Sequence, residues 1–335
     1  MVQVTLMKKN RKVKHCFYTS TSICLLMCIS FANRTFSQEG YWERIHLAED
    51  LFVLGAYDSS LTNYCATFEK YGVCQLSPWM NAYKISEINL NGKYSETLLN
   101  FFIKEDNLYY LKKAKSKNEY LDGMVDIPLL DTLKRSSFKE SIKRKKITLS
   151  KWQKLERKDQ RPRKFPGVMF VNNEKLFKLD SINRQMFFKL CEEFDNMVPS
   201  NMDLFFIGSF HPCDMIFQHN RLHTAVSNWN KMDSIFYNSI KYGKYSPNRA
   251  KNNLIYSVMR DVRKGNVKEY ESSMDLAQDW SRITKFSSKE EAESTIGISR
   301  FRFINNLREL IYLEPITNQY LRKRTIFKEQ GLAVQ

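Results

Sequence analysis

Glycine and proline are both scarce in this 335-residue chain, at 11 and 8. A β-sandwich or barrel, which turns about every 8–12 residues, needs more of both, so an all-β fold is excluded. Strand-like alternation is weak throughout. There is no Gly-rich phosphate loop and no Gly-x-Ser-x-Gly elbow, which leaves nucleotide-dependent transfer and common serine hydrolysis without support. Beyond residue 37 no apolar run approaches the roughly 20 residues that a spanning helix needs, so no transmembrane segment is expected there. What is present is a 43% hydrophobic content, enough for a sizeable core, patterned at helical spacing. The expected fold is all-α: tetratricopeptide-like helical hairpins followed by a helical bundle domain.

Acidic residues are missing before Glu39. Lys8, Lys9, Arg11, Lys12 and Lys14 precede an apolar segment over residues 17–32, the pattern of a secretion signal over residues 1–37. A start at Met7 would give the common Met-Lys-Lys opening, and cleavage after Ser37 is preferred to cleavage after Ala32. Met27 before Cys28 is too bulky for a lipoprotein signal. The expected destination is the periplasm or the exterior of a bacterial cell. Loss of the signal removes six basic residues and lowers the net charge from +17 to +11. Four cysteines remain, Cys65, Cys74, Cys191 and Cys213. In an oxidising compartment these allow the sequence-local disulfides Cys65–Cys74 and Cys191–Cys213; buried free thiols are the equal alternative.

The mature chain divides into hairpins at 38–116, a basic helical connector at 117–150 and a C-terminal helical domain at 151–335. Gly55-Ala56-Tyr57 with Leu61 and Tyr64 recurs 37 residues later as Gly92-Lys93-Tyr94 with Leu98 and Phe101. In the first copy Leu47, Leu51 and Leu54 form an apolar stripe, Gly55 stops the helix and Ser59 caps the next. In the second, Pro78 lies in a first turn, Ile85 and Ile88 face inward, and Asn91-Gly92 closes the helix. These copies resemble tetratricopeptide hairpins, with Ser60 and Thr97 at the small position; two are too few to stand alone and must pack on the helices C-terminal to them. Further helices are expected at 127–133, at 138–145, from Thr148 or Ser150 through Trp152 to Pro162, from Asp180 with Ile182, Met186, Phe187, Leu190 and Phe194 on its apolar face, from Pro212 through His219, at 226–242, from Pro247 to Gly265, and from the Ser288–Glu291 capping box through Ile311.

Residues 134–164 carry 14 basic and three acidic side chains, an excess of 11 that equals the whole mature charge. Such a stretch is a solvated helix face or a grip for an anionic polymer. Only Phe138 and Trp152 interleave with the charges, so the stacking platform of a single-strand binder is missing and no specific nucleic acid is expected.

Residues 205–223 are the densest in reactive groups, holding three of the five histidines, Cys213, Asp214 and a Gly208-Ser209 turn. Asp159, Gln160 and Arg163, then Asp180 and Asn183, Gly208, Gln218 and His219, and Arg260 with Asp261 in reversed order, together resemble an uncharacterised bacterial family of exported, Bacteroidota-type helical proteins with DQxxR and QH motifs. The resemblance spans roughly residues 155–313. It lacks the family's YGTQ-like segment after Lys264, reads Ile311-Tyr312-Leu313 for Ile-Gly-Leu, and implies no activity.

Asp159 and Arg163 have ion-pair spacing, and with Gln218 and His219 they either brace helix packing or form a pocket with His219 as general base and Arg163 or Arg260 holding an anion. Gln160, Asp180 and Asn183 belong to the same candidate site. His219 and His223 have metal-ligand spacing if one helix holds both, with His211, Cys213 or Asp214 as a third ligand, but Asn220 stands where the HExxH motif needs glutamate. A Cys213–His219 nucleophile pair lacks motif context. No cofactor is expected. The leading expectation is an exported interaction or scaffold protein with a protein or peptide partner. The alternatives are a hydrolase-like enzyme centred on His219, with or without metal, and a binder of anionic polymers through residues 134–164. The enzyme reading requires Asp159, Arg163 and His219 to converge beside a cavity; the scaffold reading requires them buried and satisfied with none.

Overall fold

The computed structural model describes residues 40–90, 92–104, 136–163, 173–204, 211–220 and 222–333. Among these there are thirteen α-helices and no strand, and residues Tyr41–Gln335 form one compact unit. The secretion signal expected over residues 1–37, the helix expected at 127–133 and Gly208 lie outside the described residues. No helix among the described residues is long and apolar enough to cross a membrane.

Four helices make two stacked hairpins: α1 (Tyr41–Val53) with α2 (Tyr57–Tyr71), and α3 (Leu76–Ile88) with α4 (Gly92–Lys104). Gly55 turns the first with φ +78°. The buried face of α1 is Tyr41, Trp42, Ile45, Ala48 and Phe52, not the leucine stripe; Leu54 is 78% exposed. Aromatic side chains bury far more area than leucine, and the face carrying Trp42 and Phe52 wins. Ser59 lies inside α2, whose N-cap is Ala56. The second turn is made at Leu90, with φ +51°, so that Gly92 begins a helix instead of ending one, and Ile88 is exposed while Ile85 is buried. Asn89 Nδ2 donates to Asp58 Oδ1 at 2.9 Å, which places both turns at the same end of the stack.

The basic stretch is mostly one helix, α5 (Ser136–Gln160), ended by a 3₁₀ turn over Arg161–Arg163 that contains Pro162. It runs through Thr148 and Ser150 without a break, because Ser141, Trp152, Leu155 and Asp159 give it a continuous buried side. Next, α6 (Asn173–Glu192) begins seven residues before Asp180 and buries Asn183, Phe187 and Cys191, an i, i+4, i+8 line, while Ile182 is exposed. The short α7 (Asp214–His219) packs on both. Phe187 meets Trp152 and Phe217 edge-on at 5.8 and 5.5 Å, joining the three helices.

The rest is α8 (Lys231–Lys241), α9 (Pro247–Arg263), α10 (Ser273–Ile283), α11 (Lys289–Ile296), α12 (Ile298–Leu310) and α13 (Asn318–Glu329). An Asn230–Asp233 capping box starts α8 later than residue 226. Ser288 caps α11 as expected, but Gly297 at φ +86° divides the long helix into α11 and α12. The hairpins pack on the C-terminal helices through α1 against α8 and α13. Asn81 exchanges two hydrogen bonds with the Ala333 backbone, both 2.8 Å. Lys323, buried on α13, reaches Glu314 at 2.5 Å, Asp50 at 3.0 Å and Glu49 at 3.6 Å.

All four cysteines are free thiols, so neither expected disulfide is present. Cys74 Sγ is turned toward the Tyr71 and Tyr242 carbonyls, and burial pushes the Cys213 thiol pKa far up.

Candidate functional site

Where the ends of α5 and α7 meet the first half of α6, residues far apart in sequence share one carboxylate. Asp159, 1% exposed, ends the buried line of α5. Its Oδ2 accepts from Gln160 Nε2 at 2.8 Å. Its Oδ1 accepts from Arg163 Nη1 at 3.2 Å and from Asn183 Nδ2 at 3.4 Å. His219 Nδ1 lies 2.6 Å from Oδ2, an approach too oblique for an aligned hydrogen bond. Three accepted hydrogen bonds and the adjacent imidazole hold the carboxylate in place. It is a fixed anion that orients its neighbours.

The 3₁₀ turn brings Arg163 back over the helix end, where it bonds the Asp159 carbonyl and side chain and reaches across to Asp180 Oδ1. Asp180, Asp159 and His219 offer three metal-ligand atoms within 4.8 Å of one another. The guanidinium of Arg163 already supplies the positive charge between the two carboxylates, so a cation there would have to displace it.

A cavity of about 500 Å³ opens beside this cluster, lined by Asp180 and His219 together with Phe177, Arg184, Phe188, His223 and Lys231. His219 Nδ1 is buried against Asp159, so the part of the ring that borders the cavity is its other edge. Two cationic side chains, Arg184 and Lys231, line it with a single carboxylate, Asp180, itself paired with Arg163. The cavity favours an anion.

Asp159, Gln160, Arg163, Asp180, Asn183 and His219 thus lie together. Gln218 and Arg260 do not join them. Gln218 precedes His219 on α7 but makes no hydrogen bond with the cluster. Arg260 lies on α9 with its guanidinium 5.8 Å from the Tyr256 ring centre, and makes no contact with Asp159 among the described residues. His211 is no ligand: Nε2 meets the Pro199 carbonyl at 3.1 Å and Nδ1 accepts the Cys213 amide at 3.2 Å. The helix ends at His219 and Asn220 is extended, so the i,i+4 geometry with His223 does not form; His223 reaches the same cavity from the segment after α7. Cys213 is fully buried and cannot pair with His219 as a nucleophile.

Arg184, Lys231, Phe177 and Phe188 were missed. Arg184 carried a signal, being one turn after Asp180 on the same helix; Lys231 carried none. The basic face of α5 borders a separate groove of about 920 Å³ with Lys154, Arg157, Lys158 and Arg161 against Glu156 alone. The chain matches no family model, no curated protein and no solved structure.

Proposed function

We propose that the cavity at His219 is a hydrolytic site for a small anionic substrate in an exported protein. The observation that carries this reading is the placement of His219 against the buried, hydrogen-bonded Asp159 and in the lining of a cavity that also holds Arg184 and Lys231. Asp159 and Arg163 are positioning residues. His219 takes a proton from water, the water oxygen bonds to the phosphoryl or acyl centre, and the protonated imidazole returns the proton to the departing oxygen. Arg184 and Lys231 hold the anionic group, and Phe177 and Phe188 the apolar remainder. In the same reading the chain is a divergent relative of the DQxxR and QH family, since three of the matching residues, Arg163, Asn183 and His219, meet at Asp159.

The test is hydrolysis of nitrophenyl phosphate and nitrophenyl acyl esters by purified protein. His219→Ala is expected to lose about 10²–10⁴-fold in kcat, the range for general-base catalysis, and Asp159→Asn a substantial part of that. Turnover that persists in His219→Ala, or no turnover of any ester by the wild type, would sink the proposal.

A second reading, an interaction protein with tetratricopeptide-like hairpins, is favoured by Leu54 and Leu90, 78% and 92% exposed at the same end of the stack. The groove along α5 suits an anionic polymer within either reading.

A further inference from the structure

A second cavity, of about 300 Å³, lies between α9, α10, α12 and α13, away from His219. Three basic side chains line it, Lys251, Arg308 and Arg324, and no acidic one does. Ser281, Thr284 and Tyr320 add hydroxyls. Arg308 is 2% exposed, and its Nε is spent on the Glu314 carbonyl at 2.8 Å. Its Nη2 is buried with no hydrogen-bond partner. The nearest balancing carboxylate, Glu314, is taken by Lys323 at 2.5 Å and His46 at 3.3 Å. The guanidinium also lies over the Tyr320 ring, 5.0 Å from its centre. A buried guanidinium nitrogen left without a partner is costly, and so is a second cation beside it. Burial, and then the Arg308 charge, lower the pKa of Lys251. An oxyanion would remove both penalties at once.

We infer that this cavity is a binding site for a small tetrahedral oxyanion, the phosphate group of a soluble ester, held by Arg308 and Lys251 with Arg324 at its rim. The Thr284 and Tyr320 hydroxyls suit the remaining phosphate oxygens as donors, Ser281 Oγ already donating to the Gln278 carbonyl at 2.8 Å, and the cavity volume leaves room for little beyond a short ester.

The probe is inorganic phosphate, read as the rise in unfolding temperature over chloride at equal ionic strength. The wild type is expected to show a phosphate-specific rise. Lys251→Gln is expected to weaken apparent affinity roughly tenfold or more, and to be at least as stable as wild type without phosphate, because it removes a repulsion. The comparison is repeated in an Arg184→Gln background, which removes the contribution of phosphate held in the His219 cavity, and the Lys251-dependent part of the rise should remain. No phosphate-specific rise, a rise that Lys251→Gln leaves undiminished, or a rise that Arg184→Gln alone abolishes would each overturn the assignment. Glycerol phosphate and vesicles containing phosphatidic acid separate the sources. Lys251-dependent binding to vesicles without a response to glycerol phosphate would overturn the soluble ligand.

Discussion

Two histidines have pKa values displaced in opposite directions. His211 accepts an amide proton at Nδ1 and meets a carbonyl with Nε2, which makes it a neutral donor–acceptor. Burial first, and then the Arg249 charge, lower its pKa to about 3. His46 meets the Tyr312 carbonyl through Nε2 at 3.0 Å, and Glu49 and Glu314 through Nδ1 at 3.3 Å. Burial pushes its pKa down, but the Glu49 hydrogen bond and the two carboxylate charges outweigh this and raise it. The signs differ accordingly. An unfolded chain protonates residue 211 near pH 6.5 and the native one near 3, so its contribution is complete above 6.5 and is lost as pH falls toward 3. The contribution of His46 is complete below 6.5 and is lost as pH rises through its raised folded pKa. Urea midpoints across pH should show His211→Asn with a shallower acid limb, by up to about 1.4 kcal/mol per pH unit, and His46→Gln with a shallower alkaline limb. Unchanged slopes would refute the assigned states.

At the scale of elements, two glycines with the same backbone sign have different neighbours. Gly55 at φ +78° faces open space, whereas a Cβ on Gly243, φ +74°, would lie 2.5 Å from the Tyr41 ring. Gly55→Ala should therefore cost about 1 kcal/mol, the backbone term alone, and Gly243→Ala about 2 kcal/mol or more. Equal losses in chemical unfolding would show that Tyr41 gives way freely. The helices themselves were legible from 3.6-residue periodicity, Pro162, Pro247 and the Ser288 cap. Which face each buries was less so. Leu47, Leu51 and Leu54 make the tidier stripe, but Trp42 and Phe52 gain more from burial. Asn183 goes inward because Asp159 needs a donor, a demand set by another helix. The same limit governs the sites: Asp159, Arg163 and His219 were legible from ion-pair spacing and from the DQxxR and QH motifs, whereas Lys251, Arg308 and Arg324 share no local pattern that would mark a pocket.

For the molecule as a whole, the buried Lys323 holds the hairpins to the last helix. Lys323→Met leaves the buried Glu49 and the half-buried Glu314 with His46 as their remaining ion-pair partner among the described residues, and should cost about 3 kcal/mol, the low end for breaking a buried pair. A melting temperature close to wild type would mean that water reaches the acids. The clasp also has a direction in time. Phe52 is covered edge-on by Phe327 at 5.6 Å, and Asn81 is bonded to Ala333. A ribosome adds about 5–20 residues per second, so helix α1 waits on the order of tens of seconds for the segment that covers it. Through that interval the nascent chain keeps an aromatic face uncovered, and it emerges from synthesis as a client for holding chaperones rather than as a domain already closed.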